Sequence, residues 1–376
     1  MKITAVRVFQ LEGRTQEGLA VFHSFRPGVP ARKPGPHRET FVEIESDQGV
    51  SGLQFVSYGF ERDVRDAGQQ LVGEDPLRTE AIWEKLFSSV DLRQRMPVIA
   101  TLDLALWDLV GKMRNAPVYE LLGGPVRERV RAYAGMLGFD TDPGAAAEAS
   151  AEYAQKGFTA LKWYLPYNAS QGRDGILKNA ALVSAVRKAV GPNVEIMCDW
   201  LLSNPRPNSI LLATQMARAL EESAVTWIEE PLSFDDLDTH RRLAESTSIP
   251  LAFGEHFYNR WQIRQVIEAG KPTIVQPDPI WAGGVTEMRK IIAVCSTYGV
   301  AVVPHGNESC HNALHILFAQ PERYCPLAEW GVRINRNSQH FYRGYYEPKN
   351  GYYELPPGPG FGYQLDPTKV VKRTDL

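Results

Sequence analysis

From residue 130 onward the chain keeps one rhythm: a short apolar run, then a helical stretch, repeated. The apolar runs cover residues 130–136, 158–165, 194–200, 225–231, 250–255, 273–279, 300–305 and 324–330. Helical patterns at 180–190, 210–221, 237–245, 261–269 and 285–298 lie between most of them. Strands alternating with helices predict parallel βα units, because a parallel strand needs a crossover to reach its neighbour. Eight such runs predict a closed barrel rather than an open sheet. An open doubly wound sheet would place a Gly-rich phosphate turn after its first strand, and the sequence has none there.

The residues before this rhythm read differently. Residues 3–11 alternate loosely, and Thr40-Phe41-Val42-Glu43-Ile44-Glu45-Ser46 alternates cleanly. Asp47-Gln48-Gly49 is a turn signal, and 50–56 returns as a strand. Helical periods follow at 62–72, 77–87 and 100–112, the last apolar enough to be buried. Leu121-Leu122-Gly123-Gly124 then breaks the pattern. The expected organisation is an α+β capping domain over 1–124, a (β/α) barrel over 125–330, and a C-terminal segment over 331–376 that packs back on the cap. A polar, Pro- and Gly-rich stretch over 23–38 reads as a substrate lid.

Composition narrows the class. A formal net charge of −3 over 376 residues gives no basic excess for a nucleic-acid partner. No run of about 18 apolar residues appears, so no membrane span is expected. The start has no apolar core of a signal peptide. Cys198, Cys295, Cys310 and Cys325 make no CxxC pair and sit in apolar segments, which suits buried thiols in a reducing cytoplasm. No spacing among them supports a zinc site.

In a barrel, chemistry gathers at the C-terminal ends of the strands. Here nearly every apolar run ends in a charged residue. Lys162 is on the second, Asp199 on the third, Glu229 and Glu230 on the fourth, Glu255 and His256 on the fifth. Asp278, His305 and Glu329 end the sixth, seventh and eighth. Alone, Asp199 reads as a solvated loop acid or a helix cap. Together with Glu229 and Glu255 it makes three converging carboxylates, which repel one another unless a cation lies between them. An all-oxygen set favours a hard ion, Mg²⁺ with Mn²⁺ as its substitute. Glu230 is expected to point away from its neighbour Glu229. His305 with Asp278 makes a base–orienter pair, against the blander reading of a structural histidine after a proline. His311 and His315 read as packing residues, and His240 as a solvated helix residue.

These motifs carry a resemblance. The chain resembles the enolase superfamily in its mandelate-racemase-like branch. The likeness rests on the segment from Leu104 to Lys112, on Pro117 to Gly124, and on Cys198-Asp199, Trp227-Ile228-Glu229-Glu230-Pro231, Gly254-Glu255-His256, Gln276-Pro277-Asp278, Gly283-Gly284-Val285-Thr286-Glu287 and Val302-Val303-Pro304-His305-Gly306. It implies an α/β fold: a modified TIM barrel of (β/α)7β type under an N-terminal α+β cap. Across that superfamily a Lys or His base works beside Mg²⁺ that stabilises an enediolate. Within the branch the chain is similar to L-rhamnonate dehydratases and other acid-sugar dehydratases, through Gly254-Glu255-His256, the stretch from Gln171 to Ala181, and the tail Pro357-Gly358-Pro359-Gly360-Phe361-Gly362. The resemblance implies Asp199, Glu229 and Glu255 as magnesium ligands and His305, paired with Asp278, as general base. It sets Glu329 facing the substrate carboxylate, with Lys162 and His256 lining the pocket. It also implies a homo-oligomer of two to eight chains.

Two-base racemases of the branch carry Lys-x-Lys on the second strand, and here Tyr164 holds the second lysine's place. A phenol with a pKa of about 10 is a poor base at neutral pH. The expected reaction is therefore loss of water from an acid sugar to a 2-keto-3-deoxy acid, with Glu329 protonated or sharing a proton. The alternative is racemisation or epimerisation of an α-hydroxy acid. Tyr164 and His37 are the further candidates for substrate contact, His37 equally readable as an exposed loop residue. A phosphate-handling barrel would want a Gly-rich loop after strand seven or eight, and Gly306-Asn307-Glu308-Ser309 is a poor one. A non-catalytic sugar-acid-binding barrel should have lost strand-end acids, yet all are present.

Overall fold

The computed structural model describes residues 1–14, 23, 30–31, 35–200, 209–306 and 310–376. Most of the expected lid over 23–38 thus lies outside the described residues, as do 307–309 of the candidate phosphate loop and the Cys310 side chain. The N-terminal layer is an antiparallel sheet of β1 (Ile3–Gly13), β2 (His37–Ser46) and β3 (Ser51–Phe55). It packs on the helix Met96–Met113, which is buried along nearly its whole length. A helix apolar on all sides belongs inside a protein, and here sheet and barrel cover opposite flanks. β3 comes so close that a Cβ on Gly52 would lie 2.1 Å from the Ala105 carbonyl oxygen. The shorter helices Glu61–Gly68 and Thr79–Ser88 complete the cap, the first ending earlier than its sequence period suggests.

The second layer is a barrel. Its strands are β4 (Arg129–Gly135), β5 (Ala160–Tyr164), β6 (Glu195–Asp199), β7 (Trp227–Glu229), β8 (Leu251–Phe253), β9 (Ile274–Val275), β10 (Ala301–Val302) and β11 (Ala328–Gly331). They pair in parallel from β10 back through β4 to β11. The Val302 N–H donates to the Tyr324 carbonyl at 2.8 Å and links the two ends. Helices Pro143–Gln155, Gly172–Val190, Ile210–Leu220, Leu237–Ala244, Arg260–Gln265, Gly284–Tyr298 and Cys310–Phe318 follow the first seven strands in turn. Seven βα units and a closing strand match the (β/α)7β expectation. The fifth of these helices runs on into a π-turn at Val266–Gly270.

Side-chain period explains where the chemistry falls. Tyr133, Ala160, Met197, Trp227, Ala252, Val303 and Leu327 form one buried cluster inside the barrel. Leu161, Ile196, Cys198 and Ile228, on alternate positions, join the larger core under the helices. Residues two further along a strand share its face. Two beyond the inner cluster stand Lys162, Asp199, Glu229, His305 and Glu329, and two beyond Ile274 stands Gln276.

The C-terminal residues return to both layers. β12 (Tyr352–Glu354) pairs antiparallel with β4, and β13 (Val370–Asp375) with β1. Asp108 of the central helix accepts from the Leu53 N–H at 2.8 Å and the Phe361 N–H at 2.9 Å, tying cap, helix and tail together. His240 corrects its sequence reading. It is fully buried, its ring 4.3 Å from that of Phe253, because the exposed-looking helix Leu237–Ala244 turns that face inward. Cys198, Cys295 and Cys325 are buried free thiols. No helix among the described residues is long and apolar enough to cross a membrane.

Candidate active site

Lys162 is the centre of the strand-end layer. It is fully buried, and its Nζ lies 2.6 Å from Glu229 Oε1, 2.9 Å from Glu329 Oε1 and 3.6 Å from Asp199 Oδ2. Burial would strip its proton, but Glu229 and Glu329 hold its pKa well above the usual value. Its ammonium also sits 5.5 Å from the ring centres of Tyr133 and Tyr164. Tyr164 is buried, and burial pushes its phenol well above its ordinary value.

Glu329 is buried beside Lys162. Burial raises its pKa, but Lys162 and His305 outweigh that and hold it below its ordinary value. Its Oε2 accepts from the Gly306 N–H at 2.9 Å, which fixes the carboxylate against the loop after β10.

His305 and Asp278 meet, with Nδ1 2.6 Å from Oδ2. Asp278 Oδ1 accepts from the Ile280 N–H at 2.9 Å, so the carboxylate is held from both sides. Burial disfavours the imidazolium, yet Glu255, Glu329 and Asp278 together carry His305 well above the usual histidine value. Glu255 Oε2 lies 3.5 Å from His305 Nε2 and Oε1 lies 3.4 Å from His256 Nε2. Trp281 stacks on His305 with ring centres 5.5 Å apart, and its ring also lies 6.3 Å from that of His256.

The carboxylates form two groups. Glu229 directs Oε1 to Lys162 and receives Trp227 Nε1 at 3.2 Å and Gln276 Nε2 at 2.7 Å on Oε2. Glu230, Glu255 and His256 bring one ligand atom each to within 4.8 Å of one another. Glu230 was expected to face away. Its φ of 45° places it in the left-handed region and turns its carboxyl toward Glu255 and His256 instead. Strict alternation along a strand cannot anticipate that turn. Gln276, part of a motif quoted above, and Trp281 are site residues to which the sequence assigns no role. Gln276 was legible in principle, two residues before Asp278 on the same strand face. His37, by contrast, is engaged on the cap: its Nε2 lies 2.6 Å from Glu39 Oε1 and its ring 4.6 Å from that of His340.

Two family models span the chain. Residues 35–123 match the mandelate racemase / muconate lactonizing enzyme N-terminal domain, and 144–369 match the enolase C-terminal domain-like model. The chain belongs to the enolase superfamily. Among relatives, a D-galactonate dehydratase of Ralstonia nicotianae is 33% identical over 90% of this chain and 92% of its own. Another D-galactonate dehydratase, from Cronobacter sakazakii, is 31% identical over 90% and 92%. Among solved structures, an enolase superfamily member from Salmonella Typhimurium superposes with a TM-score of 0.83 at 28% identity, covering 100% of this chain and 99% of that one. The 3,6-anhydro-D-galactonate cycloisomerase of Zobellia galactanivorans gives a TM-score of 0.81 at 25% identity, over 99% and 100%.

Members of the enolase superfamily work with Mg²⁺, and the residues here fit such an ion. Among the described residues, Asp199 Oδ1 and both carboxyl oxygens of Glu230 are buried without a hydrogen-bond partner. Burial, then Glu229, raises Asp199, and burial, then Glu255, raises Glu230, each well above the carboxylate range. Acids that cluster and still hold their protons beside Lys162 carry more negative charge than that one lysine offsets. Oxygen donors suit a hard divalent cation.

Proposed function

We propose that this enzyme removes water from an acid sugar, an aldonate or a close relative, to give a 2-keto-3-deoxy acid. The observation that supports it most is the His305–Asp278 pair at 2.6 Å, set beside buried carboxylates on neighbouring strand ends. Asp199, Glu229 and Glu255 are the residues we assign to Mg²⁺, with Mn²⁺ as its substitute. Bound there, the ion supplies positive charge beside the substrate's carboxylate and offsets Glu255 next to His305.

In this reading Asp278 holds His305 Nδ1, so Nε2 takes the α-proton. The charge left on the substrate spreads into its carboxylate, which Lys162 meets with a full positive charge. Glu329 keeps that lysine charged and aimed. His305, now protonated, returns its proton to the departing 3-hydroxyl, which leaves as water. The enol that remains tautomerises to the 2-keto acid. Trp281 limits the swing of the imidazole, and His256 and Tyr164 border the pocket. We retain His37 as a distal contact. The enzyme is read as cytoplasmic and homo-oligomeric.

The test is a screen of aldonic and aldaric acids, D-galactonate and L-rhamnonate first, for 2-keto-3-deoxy products with Mg²⁺ present. His305→Asn should lower kcat on the best substrate by about 10²- to 10⁴-fold. Unchanged turnover would remove His305 from the mechanism. Proton NMR in deuterated water addresses the racemase reading, which requires α-hydrogen exchange with inversion and no loss of water. Tyr164, raised further by its burial, argues against it as a second base.

A further inference from the structure

The start of the helix Gly284–Tyr298 is where the cap grips the barrel mouth. Asp103, on the cap's central helix and buried, accepts from the Thr286 N–H at 3.0 Å and from Thr286 Oγ1 at 2.6 Å. Thr286 Oγ1 in turn accepts from Trp107 Nε1 at 3.0 Å. Trp83 Nε1 donates to the Gly283 carbonyl at 2.9 Å. The fit is close: a Cβ on Gly284 would lie 2.3 Å from Asp103 Oδ2. A carboxylate from another domain thus caps this barrel helix, which has no side-chain cap of its own.

We infer that Asp103 is a positioning residue for the His305–Asp278 pair, acting through the turn that runs from Asp278 to Gly284. That turn is a compact unit. Trp281 and Ala282 donate their N–H groups to the Asp278 carbonyl at 3.0 and 2.7 Å, and the Gly284 N–H donates to the Pro279 carbonyl at 3.1 Å. It carries two groups that set the imidazole: the Asp278 carboxylate on Nδ1 and the Trp281 ring on its face. A shift at the capped end therefore moves both together. The same helix start also reaches the neighbouring loop. Glu287 accepts from the Arg260 N–H at 2.7 Å and pairs with its guanidinium, on the segment that follows Glu255 and His256.

Asp108 on the same helix provides the control. It too is fully buried, but its bonds go to Leu53, Phe361 and Lys112, away from this turn. The inference rests on the proposed role of His305, so the test needs a readout apart from turnover. Asp103→Asn, Thr286→Val, Thr286→Ser and Asp108→Asn would be compared with wild type by the His305 Nδ1–H proton resonance and by kcat and KM. Asp103→Asn and Thr286→Val should move that resonance and lower kcat by about 10- to 100-fold, with KM nearly constant. Thr286→Ser, which keeps the hydroxyl, should restore both. Asp108→Asn should lower the melting temperature yet leave resonance and kcat in place. Folded Asp103→Asn or Thr286→Val with an unmoved resonance and wild-type kcat overturns the inference, as does an equal change in Asp108→Asn. If Asp103→Asn does not fold, the two Thr286 variants decide. An active His305→Asn would instead sink the proposed function, while a moved resonance would still support the mechanical link.

Discussion

Two sets of buried acids sit in this molecule, and they are treated in opposite ways. On the cap helix, Asp103 and Asp108 have both oxygens bonded: Asp103 to Thr286, Asp108 to two backbone N–H groups and Lys112. At the barrel mouth Asp199, Glu229, Glu230, Glu255, Asp278 and Glu329 crowd around Lys162 and His305, and oxygens of Asp199 and Glu230 have no hydrogen-bond partner among the described residues. Buried polar groups are normally satisfied, and each exception needs a reason. The cap acids are finished joints. Among the mouth acids are the ones the proposed function assigns to a cation.

The contrast can be broken most decisively at the lysines. Lys162→Met leaves buried carboxylates without their cation and should cost roughly 3–5 kcal/mol in a denaturant titration. Lys112→Met, on a side chain still 21% exposed, should cost about 1 kcal/mol or less. Equal losses would mean the two regions are built alike.

The next effect is one of pH. Burial, against the bonds from Thr286, pushes Asp103 up to about 7. The folded protein then holds a proton that the unfolded chain releases near pH 4, so the stabilisation is complete in acid and is lost as pH rises toward 7. Its full extent is roughly 4 kcal/mol. Stability followed from about pH 4 to 7 should decline, and Asp103→Asn should flatten the slope. An identical slope in that variant would remove Asp103 as its source.

A smaller effect separates the regions by ligand. Mg²⁺ at a hundred times its dissociation constant should stabilise the protein by about 2.7 kcal/mol. A chelator should reverse the gain and Asp199→Asn should abolish it, whereas Asp108→Asn should keep it. The smallest change concerns the joint itself. Gly284→Ala, at a φ of 75° and against Asp103, should cost about 1–3 kcal/mol by thermal melting. A neutral result would show that the joint has slack.

Much of this was legible in the sequence, and the reason is periodicity. Apolar runs ending in Lys162, Asp199, Glu229, His305 and Glu329 announce both a barrel and the layer of it that carries charge. Asp278 and His305 are 27 residues apart, yet a fixed strand order makes their meeting foreseeable. Other features depend on information that no local pattern holds. Glu230 turns inward through a single backbone angle. Asp103 and Thr286 are 183 residues apart and meet across two domains. His240 lies in a helix whose polar composition hides its one inward face. The 2.9 Å approach of Lys162 to Glu329 belongs here too, because sequence spacing gives no distance between strands.

The pairing of β13 with β1 bears on how the molecule is made. During synthesis β1 emerges before the barrel, and its outer edge waits for a strand that emerges after it. Until then that edge offers unpaired backbone groups to any passing strand, which is the common route to edge-to-edge association. The nascent cap therefore stays open through translation of the whole barrel, and a copy cut short before Val370 would carry that adhesive margin permanently.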